Sequence, residues 1–246
     1  MECKIITLYN TGRYYSRSSD EKIVKCNDYI EYRLELFKNT CLRSIEHQTD
    51  RRFKWLVFTD LSLKLSSEFV DLCNSVHDNI EIIDMSYSND KNQPQEEYFQ
   101  KILCDDGDIA EFKLDSDDCI NKDFVKIVLE SCQPDYYKVY YPNKLYTLSY
   151  PDMSVYKNFN KKRNFPIIIK SNNSINNIYE KRHNEYYNIS NSIIGPFYLY
   201  TRHDKNHCSV EKLTFGGNYI KTIQFTKNEK EMLCDQFPWI EFKWIM

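Results

Sequence analysis

The chain has 246 residues with a formal net charge of -3, and its pI is about 6.0. That length suits one α/β core, and a single domain over 1–246 is expected. The acidic balance gives no electrostatic footprint for nucleic acid. No apolar run has the length of a signal peptide or a membrane span, which predicts a soluble, cytoplasmic protein. The nine cysteines form no Cys-x-x-Cys pair, so they read as mostly buried thiols in a reducing compartment rather than as a zinc site or a disulfide framework.

Residues 4–9 are β-formers ending at the turn signal Asn10-Thr11-Gly12. A Ser-rich, Arg-bearing segment follows to Cys26 and predicts a mobile loop. From Asp28, Ile30, Leu34, Phe37, Cys41 and Ile45 recur at helical spacing. Residues 53–58 form an apolar run too short for a helix, a buried strand closing on Thr59-Asp60. A helix over 65–76, a strand over 80–85, a loop over 86–95 and a short helix over 96–103 complete an alternation of strand and helix. That alternation predicts an open, largely parallel sheet flanked by helices.

The chain is organised around residues 109–125. A buried strand, 109–114, runs into Asp115, Asp117 and Asp118, and a helix is predicted to open at Asn121 as N-cap, with Phe124, Val125, Val128 and Leu129 on its apolar face. Carboxylates at the C-terminal end of a strand lie where open α/β sheets bind ligands. So closely spaced, they need protonation, a basic partner or a cation. The plain alternative is an acidic turn that caps a helix and faces water. Beyond Pro134, Tyr- and Ile-rich strands at 136–141, 145–150 and 165–170 alternate with Asn- and Lys-rich loops, and the aromatic tail 237–244 is expected to pack on the core.

Several blocks together resemble one family. Thr7-Leu-Tyr-Asn10, Ser44-Ile-Glu-His-Gln-Thr49 before the strand that ends at Asp60, and Leu114-Asp-Ser-Asp-Asp118 before Asp123-Phe124 resemble nucleotide-sugar glycosyltransferases of the GT-A fold. Tyr32-Arg-Leu-Glu-Leu-Phe37 and His203-x-x-Asn206 are closer still to the rhamnosyltransferase group. The resemblance covers 4–125 well and 165–210 loosely.

It implies a GT-A, Rossmann-like mixed sheet with an irregular β-rich C-terminal half. Residues 1–133 would bind the nucleotide and 134–246 the acceptor. It also implies a UDP- or dTDP-sugar donor, a glycan or other hydroxyl acceptor, and Mn2+ or Mg2+. Thr7 and Tyr9 would line the base and ribose pocket, and Asp60 would accept a hydrogen bond from a pyrimidine ring nitrogen. Asp115 and Asp117 would serve metal and ribose, with His203 completing the metal shell. Arg33 suits a diphosphate or the acidic cluster, or else pairs with Glu31 or Glu35. An inverting enzyme would take its general base from Glu180, Glu185 or Asp204.

Other classes fit less well. Nucleotidyl transfer normally needs a Gly-rich loop after the first strand, and Asn10-Thr-Gly-Arg13 is poor in glycine. A phosphatase would carry its Asp-x-Asp on the leading strand. An inactive glycan-binding or scaffold protein of the same fold would be expected to lose the acidic cluster, which is intact here.

Overall fold

The computed structural model describes residues 1–10, 27–86, 107–131, 137–158, 167–170, 190–203, 214–215, 218–219 and 224–244. The segments expected as a loop at 11–26 and a helix at 96–103 lie outside them, as do Glu180, Glu185 and Asp204.

The strand at the centre of the N-terminal half is β1 (Glu2–Tyr9), buried over its last seven residues. It pairs in parallel with β2 (Phe53–Thr59) on one side and β4 (Ile109–Lys113) on the other, and β3 (Ile80–Asp84) extends the sheet in parallel beyond β2. Buried on both faces, β1, β2 and β4 are rich in Ile, Val and Phe, whereas β3, at the sheet's edge, is buried only in part. Their carboxyl ends converge on one edge, which carries Asn10, Asp60, Asp84 and the turn after β4.

The second half continues the sheet with mixed polarity. The strands are β5 (Cys119–Ile120), β6 (Tyr137–Ser149), β7 (Ser154–Asn158), β8 (Ile167–Lys170), β9 (Ser190–Arg202) and β12 (Lys243–Trp244), with β10 (Thr214–Phe215) and β11 (Asn218–Tyr219) as a separate ribbon. β8 runs antiparallel to both β4 and β6, which joins the two halves edge to edge. The strands expected at 136–141 and 145–150 are one strand with a register shift at Pro142–Lys144. Proline has no N–H to give a ladder, so Pro142 sits at a bulge instead of ending the strand. β7 and β9 lie where the polar, Asn-rich composition suggested loops.

Four helices are described. α1 begins at Asn27–Phe37, passes through a π-helical turn at Lys38–Leu42 and ends at Arg43–Glu46, with helical dihedrals at both junctions. α2 spans Ser66–Val76, α3 Phe124–Ser131 and α4 Lys227–Gln236. α3 starts two residues later than expected, with Asp123 and not Asn121 as the residue before its first turn. The Asp123 carbonyl accepts its first helical bond, from Ile127 N–H, while the Asn121 amide turns away to donate to Gln236 Oε1 at 2.5 Å.

The main core packs Ile5 and Tyr9 of β1, Trp55 and Val57 of β2 and Phe112 of β4 against Leu34, Phe37, Cys41 and Ile45 of α1, Phe69 of α2 and Phe124 of α3. A second cluster joins Leu148, Val155 and Leu199 to Leu233 of α4 and to Phe237, Ile240 and Phe242, so the tail packs on the sheet as expected. Four of the five described cysteines are buried, and all five are free thiols. No helix among the described residues is long and apolar enough to cross a membrane.

Candidate active site

The acidic turn follows directly from the sheet. Leu114 N–H donates to the Ile6 carbonyl at 2.9 Å and keeps the chain in register one residue past β4. Asp118 N–H then donates back to the Asp115 carbonyl at 3.0 Å, and this turn sends the three carboxylates in different directions. Each meets its own partner. Asp115 Oδ1 lies 2.9 Å from Lys113 Nζ. Asp117 Oδ2 accepts from Arg33 Nη1 at 3.2 Å and lies 3.1 Å from His203 Nε2. Asp118 is buried and accepts from the Tyr198 hydroxyl and, at 2.6 Å, from Thr201 N–H.

Arg33 is the hub of this edge. Its Nη2 donates to Ser116 Oγ at 2.6 Å, and its Nη1 lies 3.4 Å from His203 Nε2. Glu31 pairs instead with Lys64, and Glu35 accepts from Asn39, so neither competes for the guanidinium. Tyr32, the next residue of α1, sets its ring 5.5 Å from the His203 imidazole and 6.3 Å from the Tyr150 ring. The site therefore joins α1, the turn after β4 and the residue just past β9.

The electrostatics divide two adjacent carboxylates. Burial alone would raise the Asp117 carboxyl, but the Arg33 guanidinium and the His203 contact outweigh it and hold Asp117 well below the usual carboxylate range. Burial pushes Asp118 up, the charges of Asp117 and Asp115 add to the rise, and the bonds from Tyr198 and Thr201 oppose it. Burial works against the Arg33 charge, yet Asp117 more than restores it, and Arg33 stays a cation.

The donor set can be tested against a divalent metal. Asp117 Oδ2 and His203 Nε2 stand 3.1 Å apart. That separation matches the edge of an octahedron whose ligands lie at about 2.1 Å. No group of three or more His, Cys, Asp or Glu side chains able to hold a metal occurs among the described residues. The pair could supply two corners of such a site, and the remaining ligands would have to come from outside these side chains. Arg33 borders that edge and would share it.

The other predicted residues occupy different positions. Thr7 is fully buried in the helix-facing core, where its hydroxyl accepts from Trp55 Nε1 at 3.0 Å. Tyr9 stacks on Phe69 with ring centres 4.0 Å apart, and burial pushes its phenol up. Residues 7 and 9 point to the same face of β1 as Ile5, so both side chains are core groups instead of an open pocket wall. Asp60 ends β2 at the same edge as the acidic turn and is 5 % exposed. Its Oδ1 accepts from Ser62 N–H at 2.9 Å and from the Ser62 hydroxyl at 2.5 Å, which closes a local turn.

The block Ser44–Thr49 has a structural task. Gln48 Nε2 donates to the Ser44 and Asn121 carbonyls, both at 2.8 Å, while its Oε1 accepts from Val125 N–H at 3.1 Å in the first turn of α3. Thr49 N–H donates to the Lys122 carbonyl at 2.9 Å, and its hydroxyl donates to Asp123 Oδ1 at 2.7 Å. From the other side, Lys122 Nζ pairs with Asp235 at 2.6 Å. The peptide leaving the acidic turn is thus pinned by the segment just past α1 and by α4. Sequence reasoning missed the roles of Ser116, Tyr198 and Thr201, because a hydroxyl or a backbone N–H carries no recognisable spacing.

A parallel four-strand unit extended by strands of mixed polarity and flanked by helices is the mixed α/β architecture expected of a GT-A glycosyltransferase. The chain belongs to the family described as putative rhamnosyl transferase, whose model matches residues 15–212. Similar solved structures include S. aureus TarS 1-349 in complex with UDP-GlcNAc, 14% identical with a TM-score of 0.47 over 84% of this chain and 60% of that one. The same fragment in complex with UDP is 13% identical, with a TM-score of 0.44 over 83% of this chain and 61% of that one. An inositol-1-phosphate CTP transferase from T. maritima is 12% identical, with a TM-score of 0.34 over 81% of this chain and 84% of that one. This chain thus spans only about three fifths of the TarS fragment's length. No curated protein matches it.

Proposed function

We propose that the chain is a metal-dependent glycosyltransferase that moves a sugar, with rhamnose as the family's suggestion, from a UDP- or dTDP-sugar to a hydroxyl of a glycan. The observation that carries this reading is the convergence of Asp117, His203 and Arg33 on one point at the carboxyl edge of the parallel strands. A donor diphosphate meets there a permanent cation, Arg33, and two metal-ligating atoms. Mn2+ or Mg2+ bound to Asp117 and His203 would supply neutralisation of the charge that grows on the departing nucleoside diphosphate.

Arg33 has one guanidinium edge on Ser116 and Asp117, and its planar donor set suits phosphate oxygens. Asp115 is the partner assigned to the donor ribose, and Asp60 the one assigned to the pyrimidine ring. The sugar's anomeric carbon leaves the phosphate oxygen and bonds to the acceptor oxygen. In an inverting reaction the acceptor proton passes to one of Glu180, Glu185 or Asp204. A soluble, cytoplasmic site of action is part of the same proposal.

The test is a thermal-shift panel of UDP-, dTDP- and GDP-sugars with and without Mn2+. A ligand that binds only the folded state raises the melting temperature according to its concentration and affinity. Stabilisation by one pyrimidine nucleotide sugar, larger with Mn2+, is expected. A flat panel removes the donor assignment, and a metal-independent shift removes the cation. Glu-to-Gln changes at 180 and 185 and Asp204→Asn, each assayed at saturating donor, identify the base: the one that serves slows transfer.

A further inference from the structure

Asp118 looks at first like a spare member of the acidic turn, since its carboxylate is buried and points away from Asp117. Its bonds give it another use. One oxygen accepts from the Tyr198 hydroxyl and the other from Thr201 N–H at 2.6 Å, so the single side chain grips two residues of β9. The adjoining residues, Cys119 and Ile120, pair antiparallel with Leu199 and Tyr198. Two residues past Thr201 the strand delivers His203, whose Nε2 meets Asp117 Oδ2 at 3.1 Å. Neighbouring aspartates thus hold the same stretch of chain at both ends: Asp118 by its backbone, Asp117 by its imidazole. His203 lies one residue past the end of β9, outside the strand itself, and a shift of an ångström there would open the Asp117–His203 edge.

We infer that Asp118 is a positioning residue that acts through His203: it staples β9 to the acidic turn so that the imidazole stands at ligand distance from the point shared with Asp117. This rests on the proposed metal and donor reading of the site. Such outer partners characteristically change metal affinity by about ten- to a hundredfold when removed.

The experiment is a double-mutant cycle read by calorimetric binding of UDP in the presence of Mn2+, with no turnover involved. The proteins are wild type, D117A, H203A, D118N, Y198F and the D118N/H203A double variant. D118N is expected to weaken the Mn2+-dependent binding by roughly ten- to a hundredfold, and Y198F by less, because the Thr201 bond remains. Binding of UDP without metal should be the same in D118N as in wild type. The double variant should be no weaker than H203A alone, the signature of one residue working through the other. If H203A and D117A lose binding while D118N and Y198F keep it, or if the D118N and H203A losses add, the staple is overturned and the metal reading stands. If D117A and H203A both bind as wild type does, the metal reading falls and takes the staple with it. Should D118N fail to fold, Y198F in the same cycle with H203A decides between these outcomes.

Discussion

Arg33 and Asp117 are mostly buried charges, with side-chain exposures of 13% and 17%, and each is tolerable because of the other. Removing one partner of such a pair typically costs about 3 kcal/mol, because the remaining charge keeps its desolvation penalty without its counter-ion. R33Q and D117N should each lower stability in urea titrations, and the double variant should lose less than the sum of the two. Transfer should fall by about a hundredfold or more in D117N; turnover at the wild-type rate would remove Asp117 from the chemistry.

His77 gives a second residue-level prediction, away from the site. It stacks on Phe53 at 3.9 Å, and its Nε2 lies 2.9 Å from the Phe53 carbonyl. Burial lowers its pKa from the ordinary 6.5, partly offset by that carbonyl. The unfolded chain then binds the proton more readily than the folded one, so stability should be intact above that value and decline as pH falls through it. Melting temperatures taken between pH 7.5 and 5.5 should show this loss, and H77Q should flatten it. The Asp cluster and its need for partners were legible in the sequence from charge spacing alone. Which base met which carboxylate was not, since Arg33 and His203 lie 84 and 86 residues from Asp117.

At the scale of elements, the segment just past α1 and the helix α4 act as clamps on the peptide between the acidic turn and α3. Gln48 joins three backbone groups there, and Q48A leaves a buried N–H and two carbonyls without it. A loss of about 2–3 kcal/mol is expected, measured by denaturant unfolding, with weaker donor binding because the turn loosens. α4 is entered through a reciprocal cap in which Thr226 Oγ1 accepts from Glu229 N–H and Glu229 accepts from Thr226 N–H. T226A should therefore cost about 1 kcal/mol. The Thr226-x-x-Glu229 signature stood in the sequence, yet the helix was overlooked because its burial is confined largely to Leu233. β1, β2 and β4 were legible because strands buried on both faces are dominated by apolar and β-forming residues, even with Lys4 and Glu111 among them. β9 was not, because its residues interleave Ser, Asn, Gly and Pro with apolar ones, and its pairing with distant β6 and β5 overrides local propensity.

For the whole molecule, one sheet runs from β3 through β1, β4 and β8 to β12, so the N-terminal and C-terminal halves share hydrogen-bonded edges. The boundary expected near residue 133 is a change of texture across which the sheet continues. A fragment ending there would expose the β4 edge that β8 now covers, and exposed edges of buried strands pair with whatever they meet. The 1–133 fragment should accumulate as aggregate, and full-length unfolding should follow one transition by far-UV circular dichroism and by tryptophan fluorescence. Two separated transitions would show halves that fold independently.

The π turn at Lys38–Leu42 has a further effect on this geometry. Such a turn amounts to one extra residue in an otherwise regular α-helix, and each residue turns the helix by about 100°. Upstream of it Arg33 faces the acidic turn; downstream Gln48 faces the entrance of α3. Deleting Asn39 would wind α1 into a regular spiral and rotate its two ends against each other by that angle, so the guanidinium and the amide could no longer both reach their targets. One surplus residue thus sets the phase between the end of the helix that carries Arg33 and the segment just past its other end, which braces the loop.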